Sequence, residues 1–192
     1  MAKTSTFRLL LIRCAQTEWD AVGRLQGSAD LPLSEQGRAW ASGLGERLAS
    51  DEDALPKPGL VLHAPDEASA ETASILAGPS KARTKAIPEF SAMSLGLWEG
   101  LPEGDALASV QTRVLFAIAR AAEKHPKKRV AVVLRPIEYE LVRRVMMSLT
   151  GAEASGPSEP FWPKPDEGSS VELFTINPGD LQGLLGQTKA SA

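Results

Sequence analysis

An α/β fold, in which a mostly parallel central sheet is covered by helices on both faces to give three layers, is the architecture that this sequence predicts. Three observations carry it: short continuous apolar runs that read as buried strands, segments of helical apolar spacing between them, and turn-forming Gly, Pro and Asp residues at the joints. At 192 residues, of which 43% are hydrophobic and 23% charged, the chain suits one well-buried domain and shows no boundary for a second. We read residues 1–192 as a single domain, with a core over about 7–176 and a frayed tail over 187–192.

The elements follow in order. Phe7 to Arg13 is a compact apolar run, the pattern of a strand buried on both faces, and the polar stretch from Cys14 to Leu33 reads as a functional loop behind it. Ser34 can cap a helix on which Trp40, Leu44 and Leu48 share one face. Leu60-Val61-Leu62-His63 is a second strand, and a helical stretch follows Pro65 through Leu76. Leu107, Val110, Val114 and Ile118 form one stripe of a helix predicted over 106–124, which His125-Pro126 ends. The strand Val130 to Leu134 comes next. Pro136 suits the first turn of another helix, with Leu141, Val145 and Leu149 inward and a stop near Gly151. Residues 152–168 are rich in Pro, Gly, Ser and acids and form a loop before a last strand, Val171 to Ile176. Ligands in such sheets sit where loops leave the C-terminal strand ends, so Arg13-Cys14, His63-Ala64 and Leu134-Arg135 should converge on one rim.

A net charge of −3 gives no general reason for binding nucleic acid or an anionic membrane, and Lys127-Lys128-Arg129 reads as a solvated turn before a strand. The single cysteine, Cys14, excludes an intramolecular disulfide framework and a thiolate zinc cluster, and fits a reducing compartment. Leu9 to Ile12 is too short for a signal-peptide core, and no stretch reaches the length of a membrane span. The expectation is a cytoplasmic protein with no metal, organic cofactor, nucleic-acid partner or membrane partner.

Several spaced motifs then resemble one family. Arg13-Cys14-Ala15-Gln16-Thr17-Glu18-Trp19-Asp20, followed by Gly23-Arg24-Leu25-Gln26-Gly27 and Asp30-Leu31-Pro32-Leu33-Ser34-Glu35-Gln36-Gly37, is similar to the opening of the histidine phosphatases, the phosphoglycerate-mutase-like superfamily. Ala64-Pro65-Asp66-Glu67-Ala68-Ser69-Ala70-Glu71-Thr72-Ala73 resembles that family's Ser-Pro-x-x-Arg-Ala-x-Gln-Thr-Ala, and Gly96-Leu97-Trp98-Glu99-Gly100 its Gly-x-Trp-Glu-Gly. Val132 to Pro136 stands where the family has a strand ending in Ser-His-Gly. The resemblance spans roughly residues 7–176 in order and implies a phosphoglycerate-mutase-like fold.

It also implies which chemistry is missing. The family's nucleophile is a histidine that attacks phosphorus, and its place holds Cys14. Two arginines normally cradle the phosphate through bidentate bonds; Arg13 is kept, while the second position is Ala68. The proton donor for the leaving group falls on Ala92, with Glu89 three residues away and on the opposite face of an extended segment, and the second histidine is replaced by Arg135. The chain is also short between Gly100 and Gly104, where many members carry a substrate-covering insertion.

With Cys14, Ala68, Ala92 and Arg135 degenerate, the resemblance implies a pseudophosphatase, more a non-enzyme than an enzyme, with a residual anion-binding or protein-association role that includes homodimerisation. Two alternatives stand beside it. One is an active phosphohydrolase or phosphomutase, a phosphoric monoester hydrolase, rebuilt around Cys14 and Arg13; the other is a purely structural subunit. Arg135 itself has two readings: a side chain neutralised by Asp20, Glu138 or Asp66, or part of an anion-binding hollow for phosphate with Arg13, Gln16, Thr17, Asp20 and Arg24. His63 reads as a hydrogen-bonded rim residue, His125 as surface turn, Trp40 and Trp98 as core. Phe161-Trp162 either covers the rim or meets a partner.

Overall fold

The computed structural model describes residues 6–22, 26–50, 55–94, 103–126, 128–151 and 170–183, with the backbone alone for 103–106. Its strands are β1 (Phe7–Arg13), β2 (Leu60–His63), β3 (Arg83–Ala86), β4 (Arg129–Leu134) and β5 (Val171–Ile176). The helices are α1 (Glu18–Ala21), α2 (Glu35–Ser50), α3 (Glu67–Ser80), α4 (Glu103–Lys124) and α5 (Pro136–Thr150). The strands form one sheet in the order β3-β2-β4-β1-β5, parallel except for β5, which runs antiparallel to β1. The central strands are apolar on both faces because both faces are covered. Leu9 and Leu11 point into a core shared with α4 and α5, while Leu10 and Ile12 point into one shared with α2 and α3.

Helix ends follow from local chemistry. Ser34 Oγ accepts from the Gly37 N–H at 3.0 Å at the start of α2. Asp66 caps α3 through the Ser69 N–H at 2.9 Å. Pro136 occupies the first turn of α5, and Gly151 closes it at φ 69°, a left-handed conformation that glycine adopts without a Cβ clash.

The structure departs from the sequence expectations in particular places. β3 is unanticipated: Arg83, Thr84, Lys85 and Ala86 are all exposed, so no apolar pattern marks the strand, and it exists through its ladder to β2. The loop from Cys14 to Leu33 contains the single turn α1, formed because Thr17 and Asp20 cap each other reciprocally. α3 runs on past Leu76 to Ser80 with Pro79 in its last turn, since Ala77 and Ser80 are still buried there. α4 begins at Glu103 rather than Ala106. Trp40 is half-buried against the α2–α3 core rather than inside it. Arg24, Trp98, Phe161-Trp162 and the tail over 187–192 lie outside the described residues. Among the described residues no helix is long and apolar enough to cross a membrane.

One close approach fixes the first loop. The Gln16 carbonyl accepts from Ser34 N at 2.9 Å and from Ser34 Oγ at 3.0 Å, and a Cβ at Gly37 would overlap that oxygen. Gly37→Ala should therefore lower stability by about 2 kcal/mol in urea unfolding, even though alanine is the better helix former. Gly43→Ala on the open face of the same helix, with nothing within 4 Å of its Cβ, should raise stability by up to about 1 kcal/mol. Equal effects at the two positions would refute the close approach.

Candidate functional site

Parallel pairing brings the predicted strand ends together. Arg13 of β1 is level with Leu134 of β4, and His63 of β2 is level with Val133. The Cys14 N–H extends the ladder by one bond, to Leu134 O at 2.8 Å. Alternation then turns Cys14 toward α3, into the cluster that holds Ala68. Its Sγ lies 3.5 Å from Thr72 Oγ1, while that hydroxyl accepts from Ala15 N at 3.2 Å and donates to Ala68 O at 2.8 Å. Cys14 is 3% exposed and Ala68 wholly buried.

Arg135 leaves the end of β4 as the N-cap residue of α5, and its side chain turns into the molecule, 3% exposed. Nη1 donates toward Cys14 Sγ at 3.7 Å, Nη2 donates to Gln26 Oε1, and Nη2 lies 3.7 Å from Asp20 Oδ1. The guanidinium thus occupies the ground between the end of β1, α1 and Gln26. Asp20 is itself tied down: its Oδ2 accepts from Thr17 N at 2.9 Å and Thr17 Oγ1 at 2.7 Å. Gln26 is oriented by its own donation to Ala29 O at 2.9 Å. Arg13 sits half-buried at the end of β1, and Gln16 half-buried beside it. His63 is buried, with Nδ1 2.7 Å from Ala64 O. Ala92 is half-buried and presents only a methyl group, while Glu89 faces α4, 3.7 Å from Arg120.

Sequence reasoning passed over two participants and gave a third a different partner. Gln26 belongs to the Arg-x-Gln-Gly motif and Thr72 to the Gln-Thr-Ala-like motif, so the motifs carried a signal for both. Glu138, in the first turn of α5, is offered by the sequence as a neutraliser of Arg135, and its hydrogen-bond and ion-pair partners prove to be others. It is 1% exposed, accepts from Met93 N at 2.8 Å, and lies 3.9 Å from Arg113, whose guanidinium also holds Glu89 O and Ser91 O. It thereby bolts the segment containing Ala92 to α4 and α5.

The electrostatics follow from burial. Burial pushes the Cys14 thiol above its ordinary value, and Arg135 only partly opposes this, so the sulfur is a neutral thiol at neutral pH. Burial pulls the Arg135 pKa down, but Cys14, Asp20 and Asp66 carry it above its ordinary value; at neutral pH, with Cys14 a neutral thiol, the counter-charge beside the guanidinium is that of Asp20 and Asp66. Glu138 is pushed up to about 7 by burial, against the backbone N–H groups and the Arg113 and Arg135 charges that favour its ionised form. Among the described residues, Asp66 Oδ2 and Ser69 Oγ, buried at the start of α3, find no hydrogen-bond partner. Among the described residues no group of three or more His, Cys, Asp and Glu side chains is placed to hold a metal ion.

Comparison with known proteins agrees with this architecture. The profile of the Histidine phosphatase superfamily (branch 1) matches residues 9–106. Phosphoserine phosphatase 1 of Hydrogenobacter thermophilus is 25% identical over 180 residues, which cover 81% of this chain and 80% of that protein. Glucosyl-3-phosphoglycerate phosphatase of Mycolicibacterium vanbaalenii is 32% identical over 139 residues, covering 70% of this chain and 60% of the relative. Among solved structures, Bacillus stearothermophilus YhfR superposes with a TM-score of 0.68 at 23% identity, covering 87% of this chain and 90% of that one. The three-layer, phosphoglycerate-mutase-like fold expected from the sequence is the fold observed.

Two measurements follow from the burial. In the folded protein at pH 8, Cys14 should react with a disulfide reagent only as fast as the protein opens, and rapidly once unfolded in urea; prompt reaction of the native thiol would contradict the assignment. Glu138 holds a proton in the folded state that the unfolded chain releases above its ordinary value of 4.5, so stability falls as pH rises from there through about 7. The loss should approach about 3 kcal/mol. Glu138→Gln should abolish that slope and exceed the parent in stability at pH 8, and matching pH profiles for the two would show the carboxyl to be unperturbed.

Proposed function

Since the chain belongs to the histidine phosphatase superfamily, we propose that it is a member that works by association rather than by phosphoryl transfer. One observation carries this reading: the Arg135 guanidinium is buried between Cys14, Asp20 and Gln26. A phosphate ester reaching Cys14 there would have to displace a charged side chain from its carboxylate partner. The residues resembling the family's machinery support the same reading, because Cys14 is a neutral buried thiol, Ala68 has no guanidinium to offer, and Ala92 no proton. Losing a single transition-state donor commonly costs about a hundredfold or more, and losing the nucleophile costs more again. An anion-binding role for Arg13, Gln16, Thr17, Asp20, Arg24 and Arg135 is less well supported, since Thr17 and Asp20 are committed to capping α1 and Asp20 also faces Arg135.

A second reading has its own support. The relatives named above are phosphatases, and Arg135 stands beside Cys14 Sγ as an activating cation would. In that reading this chain is a phosphoric monoester hydrolase that uses the Cys14 thiolate.

Hydrolysis of phosphoserine and of an aryl phosphate across pH 5 to 8 separates them. The expected result is no turnover above buffer for the parent or for Cys14→Ala, and measurable turnover in a Cys14→His/Ala68→Arg/Arg135→His variant whose fold is verified by circular dichroism. Parent turnover that disappears in Cys14→Ala would establish the cysteine enzyme and end the association reading.

A further inference from the structure

At the end of the sheet opposite the rim, where α3 and α4 finish and β2, β3 and β4 begin, cations collect. β3 is an edge strand with all four residues exposed. Pairing puts Arg83 and Lys85 level with Leu60 and Leu62 of β2, which face the core beneath α4 and α5, so both cations stand on the α4 side. Lys124 closes α4, and Lys128 and Arg129 lead into β4. Their convergence registers on His125: burial, and then the charges of Lys128, Lys124 and Lys85, push its pKa down. None of these cations has a salt-bridge partner among the described residues, although the chain as a whole carries a charge of −3.

We propose that this basic edge docks an extended acidic polypeptide segment, which adds to β3 as a further strand and sets its carboxylates against Arg83 and Lys85. The outer side of an edge strand offers N–H and C=O groups to a pairing strand, and cations at alternate positions select acids at alternate positions in the partner. Charged edge strands discourage pairing with neutral or like-charged strands, but not with a strand carrying carboxylates. A second copy of this edge is not the occupant, because it would bring Arg83 and Lys85 against their own counterparts. Nucleic acid is a poorer fit: the chain as a whole carries a charge of −3, and Phe116, the exposed aromatic of α4, already has Arg120 over its ring. A lipid surface would leave the strand's backbone groups unused.

The test is an anisotropy titration of the full chain with a fluorescent peptide alternating Glu and Val, at low salt. Saturable binding is expected, weakened about tenfold or more by Arg83→Glu/Lys85→Glu and to a similar degree when alternate peptide nitrogens are methylated. Both substitutions are exposed, and an unchanged melting temperature verifies the fold; Lys124→Glu/Lys128→Glu, outside the ladder, should weaken binding less. The proposal is overturned by absence of binding, by indifference to the Arg83/Lys85 variant, by equal affinity for the methylated peptide, or by tighter binding of duplex DNA or phosphatidylserine vesicles.

Discussion

A guanidinium cannot shed its proton to enter a protein interior, so a buried arginine obliges its surroundings to supply acceptors and counter-charge. Arg135 imposes that obligation here. It stands at the junction of β4 and α5, directly after Leu134, which pairs with Arg13 of β1. Asp20 and Gln26 answer it, and they reach it only because Thr17 holds Asp20 in a single helical turn and Ala29 holds Gln26. What resembles the catalytic loop of a phosphatase is thereby organised around an internal cation.

The same loop is fixed from its other side. Gln16 lends its carbonyl to Ser34, and the missing side chain of Gly37 lets α2 settle against it. Glu71 of α3 then accepts from Leu33 N at 3.2 Å and pairs with Arg38 of α2 at 2.5 Å, joining the loop to both helices of that layer. Backbone contacts set the positions and side-chain charges close them. Across the sheet, Glu138 and Arg113 perform the equivalent task for the segment around Ala92. Cys14 and the segment around Ala92 are thus each held by hydrogen bonds from neighbouring elements.

Family and reactivity separate at this point. The fold needs apolar strands, small residues where helices meet the sheet, and capped loops, and none of these depends on the reactivity of the side chain at Cys14. Cys14 and Ala68 are accommodated as packing, with Thr72 satisfying the backbone beside them. The opposite end of the sheet follows another logic: β3 buries none of its residues, and the cations around it answer to no acid among the described residues.

By itself the sequence determined the layered α/β class, the strands around Leu9 to Ile12 and Val130 to Leu134, the cap at Ser34, the stop at Gly151 and the convergence of Cys14, His63 and Arg135 on one rim. Each rests on local periodicity or on a residue type with a single conformational use, and such signals lie within a few neighbouring positions. Only the tertiary structure decided that Arg135 turns inward, that Gln26 and Asp20 meet it across more than a hundred residues of chain, that Glu138 binds Met93, and that a strand with no apolar residue but Ala86 forms at Arg83. Those outcomes depend on which distant acceptor is within reach and which hydrogen bonds a neighbouring strand has left to offer, and a one-dimensional pattern holds no record of either.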